Sequence, residues 1–145
     1  MAISTYKTYL LKKTGSGSSA TYTKVVDIKD FPDLGSEPEN LDTTTLSDSM
    51  HTYIAGIQDV GGALQFTANY DKTEYTTLLA ETASATYAVA FGGTLSGTTW
   101  TGGTDSQGKW EFTGTMTVYP LGKGVNEVQE MMISITPSST IEFVA

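Results

Sequence analysis

The chain has 145 residues, with 16 acidic side chains, eight lysines, no arginine and no cysteine, and a formal charge of −8. At roughly 100–200 residues per domain, 1–145 is a single domain with room for one core. A disulfide framework, a thiol catalyst and a Cys-ligated zinc are excluded, no apolar stretch approaches the ~20 residues of a membrane-spanning helix, and an acidic, arginine-free chain is poorly suited to gripping phosphates.

Ser, Thr and Gly are abundant, and that mix suits strands and turns better than helices. Residues 3–12 and 22–29 read as strands around the flexible Gly15-Ser16-Gly17-Ser18-Ser19. The first 14 residues hold no apolar run of signal-peptide length. Residues 30–50 differ: two prolines, a glycine and many acids predict a long loop, an unusual element in a compact domain and often a functional one. Strands are predicted at 51–59 and 63–70, joined as a tight hairpin at Gly61-Gly62. Leu64, Phe66, Ala68 and Tyr70 alternate with Gln65, Thr67 and Asn69, the pattern of a half-buried strand.

One helix is predicted, at 72–82, with Asp71 as N-cap, Glu74 three residues on, and Tyr75, Leu78 and Leu79 as its apolar stripe. Residues 86–92 alternate as a strand through Tyr87, Val89 and Phe91. The Gly- and Thr-rich segment 93–108 reads as loop, with Trp100 pinned within it. Residues 109–119 alternate through Trp110, Phe112, Gly114, Met116 and Val118. After a turn at Pro120–Gly124 come strands at 127–136 and 140–144, joined around Pro137-Ser138-Ser139. About eight strands and one short helix, with turns at near-regular spacing, predict a β-sandwich or barrel. Leu64, Phe66, Tyr87, Val89, Phe91, Trp110, Phe112, Ile133 and Ile135 form the predicted core.

No catalytic arrangement emerges. His51 is the sole histidine, and its neighbours Ser49 and Asp48 point in different directions on a strand, unlike a hydrolytic triad. The acids between Asp27 and Asp48 lack the spaced pattern of a calcium loop, so a solvated or interface-facing loop is expected. Gly92-Gly93 and Gly102-Gly103 fit no phosphate-binding motif and read as turns. No cofactor, metal or catalytic residue is therefore expected, and no enzyme activity.

Two stretches carry a family resemblance. One runs from Phe31-Pro32-Asp33-Leu34-Gly35 through Pro38-Glu39, Leu41 to Asp48 and Tyr53 to Asp59, to Leu64-Gln65-Phe66. The other holds Phe112-Thr113-Gly114, Val118, Gly122 to Val128 and Ile133 to Ser138. In order and spacing they resemble the tail tube (major tail) proteins of long, non-contractile-tailed phages, over about residues 3–144.

That resemblance implies an all-β fold with one short helix: two packed antiparallel sheets, a tail-tube-like β-sandwich or barrel, contributing strands to an inner barrel in a ring. It implies stacked hexameric rings forming a hollow tube that passes DNA into the host. Its implied partners are further copies of itself, a tape measure protein in the lumen, tail terminator and distal tail proteins at the ends, and DNA in transit without tight binding. The implied location is the virion tail, after assembly in the bacterial cytoplasm, with no membrane insertion by this chain. No decoration domain is expected after the last strand.

Pairing strand edges between subunits would cover backbone groups that an open sheet leaves exposed. The loop at about 30–50 is the expected assembly element, through Phe31, Pro32, Leu34, Pro38, Glu39, Leu41, Asp42 and Leu46. The expected lumen lining is Gln65, Thr67, Asn69, Glu111, Thr113 and Thr115, neutral to negative so that DNA is not retained. The alternative, from a different class, is a monomeric β-sandwich carbohydrate-binding module with Trp100 and nearby tyrosines as its platform. Rings or tubes against dispersed particles would separate the two.

Overall fold

The computed structural model describes residues 7–35, 40–56 and 62–144. Its strands are β1 (Thr8–Thr14), β2 (Thr21–Val26), β3 (Ile28–Asp30), β4 (Asn40–Asp42), β5 (Tyr53–Ala55), β6 (Leu64–Asn69), β7 (Ala85–Ser96), β8 (Thr99–Pro120), β9 (Glu130–Pro137) and β10 (Glu142–Val144), with one helix, α1 (Lys72–Leu79), after β6. The fold is all-β, as the patterning predicts. All pairings among the described residues are antiparallel. One large sheet runs β2-β1-β7-β8-β9-β6-β3, with β10 beside β8. Because β2 also pairs with the start of β8, part of this sheet closes into a ring. β4 and β5 form a separate two-stranded sheet.

Period-two alternation builds the core. Leu64, Phe66 and Ala68 of β6, Met131, Ile133 and Ile135 of β9, and Phe112, Met116 and Val118 of β8 are all buried on one face. Leu10 and Val26 join them, as do Tyr87 and Val89 of β7. Gly114 keeps the alternation without a side chain, because a Cβ there would collide with the Thr136 carbonyl oxygen on β9. Of the nine predicted core residues, Phe91 and Trp110 are only half-buried. They belong to a row of rings, Phe31–Phe91–Trp110–Phe143, with centroids 5.8, 4.8 and 5.1 Å apart. This row extends the core toward solvent and flanks a cleft of about 510 Å³ lined by Asp30–Leu34, Phe91 and Trp110.

α1 forms where its cap predicts. The Asp71 carboxylate accepts from the Thr73 and Glu74 backbone N–H groups at 3.0 and 3.1 Å, satisfying two of the donors a helix start leaves free. Leu78 is buried against the sheet, whereas Leu79 is 56% exposed. The stripe is therefore narrower than predicted: one residue on is about 100° around the helix, and only the Tyr75–Leu78 seam meets the core. A 2.7 Å ion pair from Lys12 of β1 to Glu81 ties down the chain just after the helix.

Two readings of local sequence are corrected. Segment 93–108 is strand, because β7 and β8 continue as a hairpin whose tip pairs Ser96 with Thr99. Residues 30–50 are not wholly loop, since Asn40–Asp42 pair with Tyr53–Ala55. Among the described residues β5 pairs with β4, and β6 pairs with β9 and, at Thr67 and Ala68, with β3; residues 57–61 of the predicted hairpin lie outside them. Gly62 has φ +78°, but Gly61 lies outside the described residues.

Candidate assembly surfaces

The first surface is the arm around β4 and β5. Its Thr/Asp-rich connection is held by side chains that stand in for ladder bonds. Thr45 N–H donates to the Asp48 carboxylate at 2.7 Å, and Asp48 N–H returns to the Thr45 carbonyl at 3.1 Å. Thr52 N–H donates to the Thr44 hydroxyl, and Thr43 N–H to the Thr52 carbonyl. Hydrogen bonds from the Thr44 side chain and backbone hold the Asp42 carboxyl below the usual carboxylate range. His51 stacks on Tyr53 and lies 3.9 Å from Asp42. Leu41, Leu46, Met50, Tyr53 and Ile54 are all exposed on this arm, Leu46 fully.

The eight predicted assembly residues divide. Leu41, Asp42 and Leu46 lie on the exposed arm. Phe31 and Leu34 pack against the chain's own core, and Pro32 beside them is half-buried. Pro38 and Glu39 lie outside the described residues.

The second surface is the face of the large sheet opposite the core. Residues directly paired across antiparallel strands share a face. The pairs Gln65↔Ser134↔Thr117, Thr67↔Met132↔Tyr119 and Asn69↔Glu130 put the β6 candidates on the face of the odd-numbered β8 residues. Thr115↔Thr136, Thr113↔Thr86 and Glu111↔Ala88 complete it. All six predicted lining residues thus share one face of four neighbouring strands. Gln65, Asn69 and Thr115 are exposed, and Thr67, Glu111 and Thr113 half-buried. The same register adds Thr86, Thr117, Ser134 and Thr136, which sequence reasoning did not single out. Alternation within 109–119 and 127–136 carried that signal.

Charge on this face includes two lysine–glutamate clusters, with Glu142 directly opposite Glu111 and Asp30 opposite Thr67. At one end Glu111 meets Lys13 at 3.3 Å and Lys109 at 3.9 Å and accepts from the Tyr22 hydroxyl at 2.8 Å. Burial, then that hydrogen bond and the Glu111 charge, push the Tyr22 phenol above its ordinary range. At the other end Glu130 pairs with Lys29 at 2.6 Å and with Lys123. The Lys123 and Lys29 ammonium groups hold the Glu130 carboxyl below the usual carboxylate range, and its hydrogen bond raises Lys123. Among the described residues Lys12, Lys13, Lys24, Lys29, Lys109 and Lys123 each lie within 4 Å of a carboxylate.

The Glu130 pairing has a pH signature. A carboxyl depressed on folding stabilises the fold above its unfolded value, near 4.3, and loses that contribution as pH falls through the folded value. Glu130→Gln is therefore expected to lower stability at pH 7 and flatten its decline below about pH 4.3. Urea midpoints taken from pH 7 to pH 2 measure both, and parallel wild-type and variant profiles would contradict the pairing.

Trp100 offers no sugar platform. It is 7% exposed and donates its indole N–H to the Gly92 carbonyl at 3.0 Å. Among the described residues no helix is long and apolar enough to cross a membrane. No protein-family model matches the chain, and no curated protein matches it.

Proposed function

We propose that this chain is the structural subunit of a phage tail tube, self-assembling into stacked hexameric rings around a lumen that conducts DNA into the host. The observation that carries the reading is the face shared by β6, β9, β8 and β7, where hydroxyl and amide side chains predominate and four lysines each lie within 4 Å of Glu111 or Glu130. In such a tube this face lines the lumen, and the exposed arm contacts neighbouring subunits. The resemblance in sequence order and spacing supports the same assignment. The subunit's partners are then further copies of itself, the tape measure protein, and the terminator and distal tail proteins. Its place is the virion tail, reached after assembly in the bacterial cytoplasm.

The chemistry of the face suits transit rather than capture. Duplex DNA carries one charge per ~1.7 Å, and each phosphate held by a free cation adds affinity. Here the lysines at the edges of the face are already engaged by Glu111 and Glu130. Thr and Ser hydroxyls exchange hydrogen bonds with water at little net gain, so DNA is offered no strong site. Counting Glu142 opposite Glu111 and Asp30 opposite Thr67, the four lysines and four carboxylates of this face balance, so it carries little net charge to attract the backbone.

Electron microscopy of concentrated protein tests the reading. Rings or tubes are expected, with Gln65, Asn69 and Thr115 facing the lumen. Dispersed monomers at every concentration would overturn the assignment. A lumen dominated by unpaired lysines would overturn the conduit chemistry while leaving the tube.

A further inference from the structure

The outer end of the β7–β8 hairpin is joined to the rest of the sheet by an irregular, glycine-rich segment. Up to Ala90↔Lys109 the two strands pair in continuous register, and from Thr94↔Thr101 to Ser96↔Thr99 they pair regularly again. Between those points residues 91–93 of β7 face residues 102–108 of β8, with a single pairing, Gly92↔Ser106. This joint contains Gly92, Gly93, Gly102, Gly103 and Gly108, and four of them have positive φ (76°, 81°, 57° and 99° at 92, 93, 103 and 108). Such backbone is open to glycine and strained for other residues. A regular ladder interrupted by unequal chain lengths and glycine is a natural pivot.

Beyond the joint, the tip folds back onto β2. Tyr22 pairs with Trp100 and Thr23 with Thr99, and Lys24 N–H donates to the Thr98 carbonyl at 2.7 Å. The seat is small: Leu11, Ala88, Ala90 and Trp100 form a cluster separate from the main core, with Tyr22 edge-on to the Trp100 ring at 6.0 Å. β2 is the terminal strand of the sheet order, so this tip is what caps its outer edge. An uncapped edge offers backbone donors and acceptors to another strand.

We infer that residues 94–101 form a strap that closes the outer edge of β2 and swings open on the glycine joint, freeing that edge for a strand of a second copy of this chain. The partner in this inference rests on the self-association proposed above; the hinge does not. Opening breaks a two-residue ladder and a four-residue cluster, whereas opening β8 from β9 would breach the main core. The strap is therefore far cheaper to open than the β8–β9 ladder, a sub-global unit of the kind seen by hydrogen exchange.

The chain has no cysteine, so Thr23→Cys/Thr99→Cys places one addressable pair at directly opposed positions. In the reduced variant the Lys24 amide is expected to exchange at least tenfold faster than the β8–β9 ladder amides of 115–119. Oxidation should slow it at least tenfold and leave the β8–β9 amides unchanged. Equal exchange of strap and β8–β9 ladder in the reduced protein would overturn the hinge.

Assembly tests the partner separately. The oxidised protein should polymerise at least tenfold more slowly than the reduced one, with recovery on reduction. Equal rates would overturn the role of the β2 edge. Failure of both forms and of wild type to assemble would overturn self-association, leaving the hinge to be judged by exchange alone. Gly93→Ala gives a check without cysteine: its Cβ would lie 2.5–2.8 Å from three Trp100 ring atoms. In a Trp110→Phe background, Trp100 emission should shift to the red with β8–β9 protection retained. An unshifted spectrum would count against the strap.

Discussion

If the chain assembles as proposed, replacing residues 40–55 by a short Gly–Ser linker is expected to leave a folded chain that no longer does so. The arm contributes three residue pairs between β4 and β5 and none of the buried core residues. An isolated two-stranded ribbon is marginal in water, and fixing each residue costs about 1–2 kcal/mol of backbone entropy. Its side chains Leu41, Leu46, Met50, Tyr53 and Ile54 are 44–108% exposed, so within one subunit they recover little of that cost. Burial against a neighbour changes the balance, since a fully buried large apolar side chain contributes about 1.5–3 kcal/mol. Even ~5 kcal/mol lost at each contact lowers an association constant by more than a thousandfold, and a ring with repeated contacts loses it at every one. The expected readout is a monomer by sedimentation, with a melting temperature within a few degrees of wild type and no tubes in micrographs. Tubes of normal length would show that the arm is dispensable.

The parts of the fold legible in the sequence are those set by neighbours along the chain. The Leu64/Phe66/Ala68 alternation marks a half-buried strand whatever its partners are, and Asp71 caps its helix through amides two and three residues on. The six lining candidates were legible as polar positions, but their common face needed the register of β6 on β9 and of β9 on β8. Segment 93–108 was hidden for a physical reason. Its glycines signal turn, and they do create an irregular joint, yet the strand resumes beyond it because β7 supplies a partner. The same holds for Asn40–Asp42, whose three residues carry no periodicity and become strand only by pairing with Tyr53–Ala55. The described part of the 51–59 segment, β5, takes β4 as its partner, a long-range choice that the Gly61-Gly62 signal does not carry. Lys12–Glu81 and Lys29–Glu130 join residues far apart in sequence, and no local pattern announces them.

Phe66→Ala is expected to be strongly destabilising, and its neighbour Gln65→Ala nearly silent. Phe66 is fully buried and sits opposite Ile133, itself opposite Val118, so three adjacent strands meet at its ring. Removing the ring loses its transfer free energy and leaves a cavity that β6, flanked by β9 and β3, cannot collapse without shifting its ladders. The expected cost is about 3–5 kcal/mol, a large part of the ~5–15 kcal/mol that holds a domain together. At roughly 2–4 °C per kcal/mol, the melting temperature should fall by about 6–20 °C. Gln65, one residue earlier, is exposed on the opposite face and should change stability by no more than about 0.5 kcal/mol. Paired thermal and urea denaturation of the two variants tests the assignment of faces. Similar losses in both would mean that the face carrying Gln65 is buried within the subunit, and a surface buried there is not free to line a lumen.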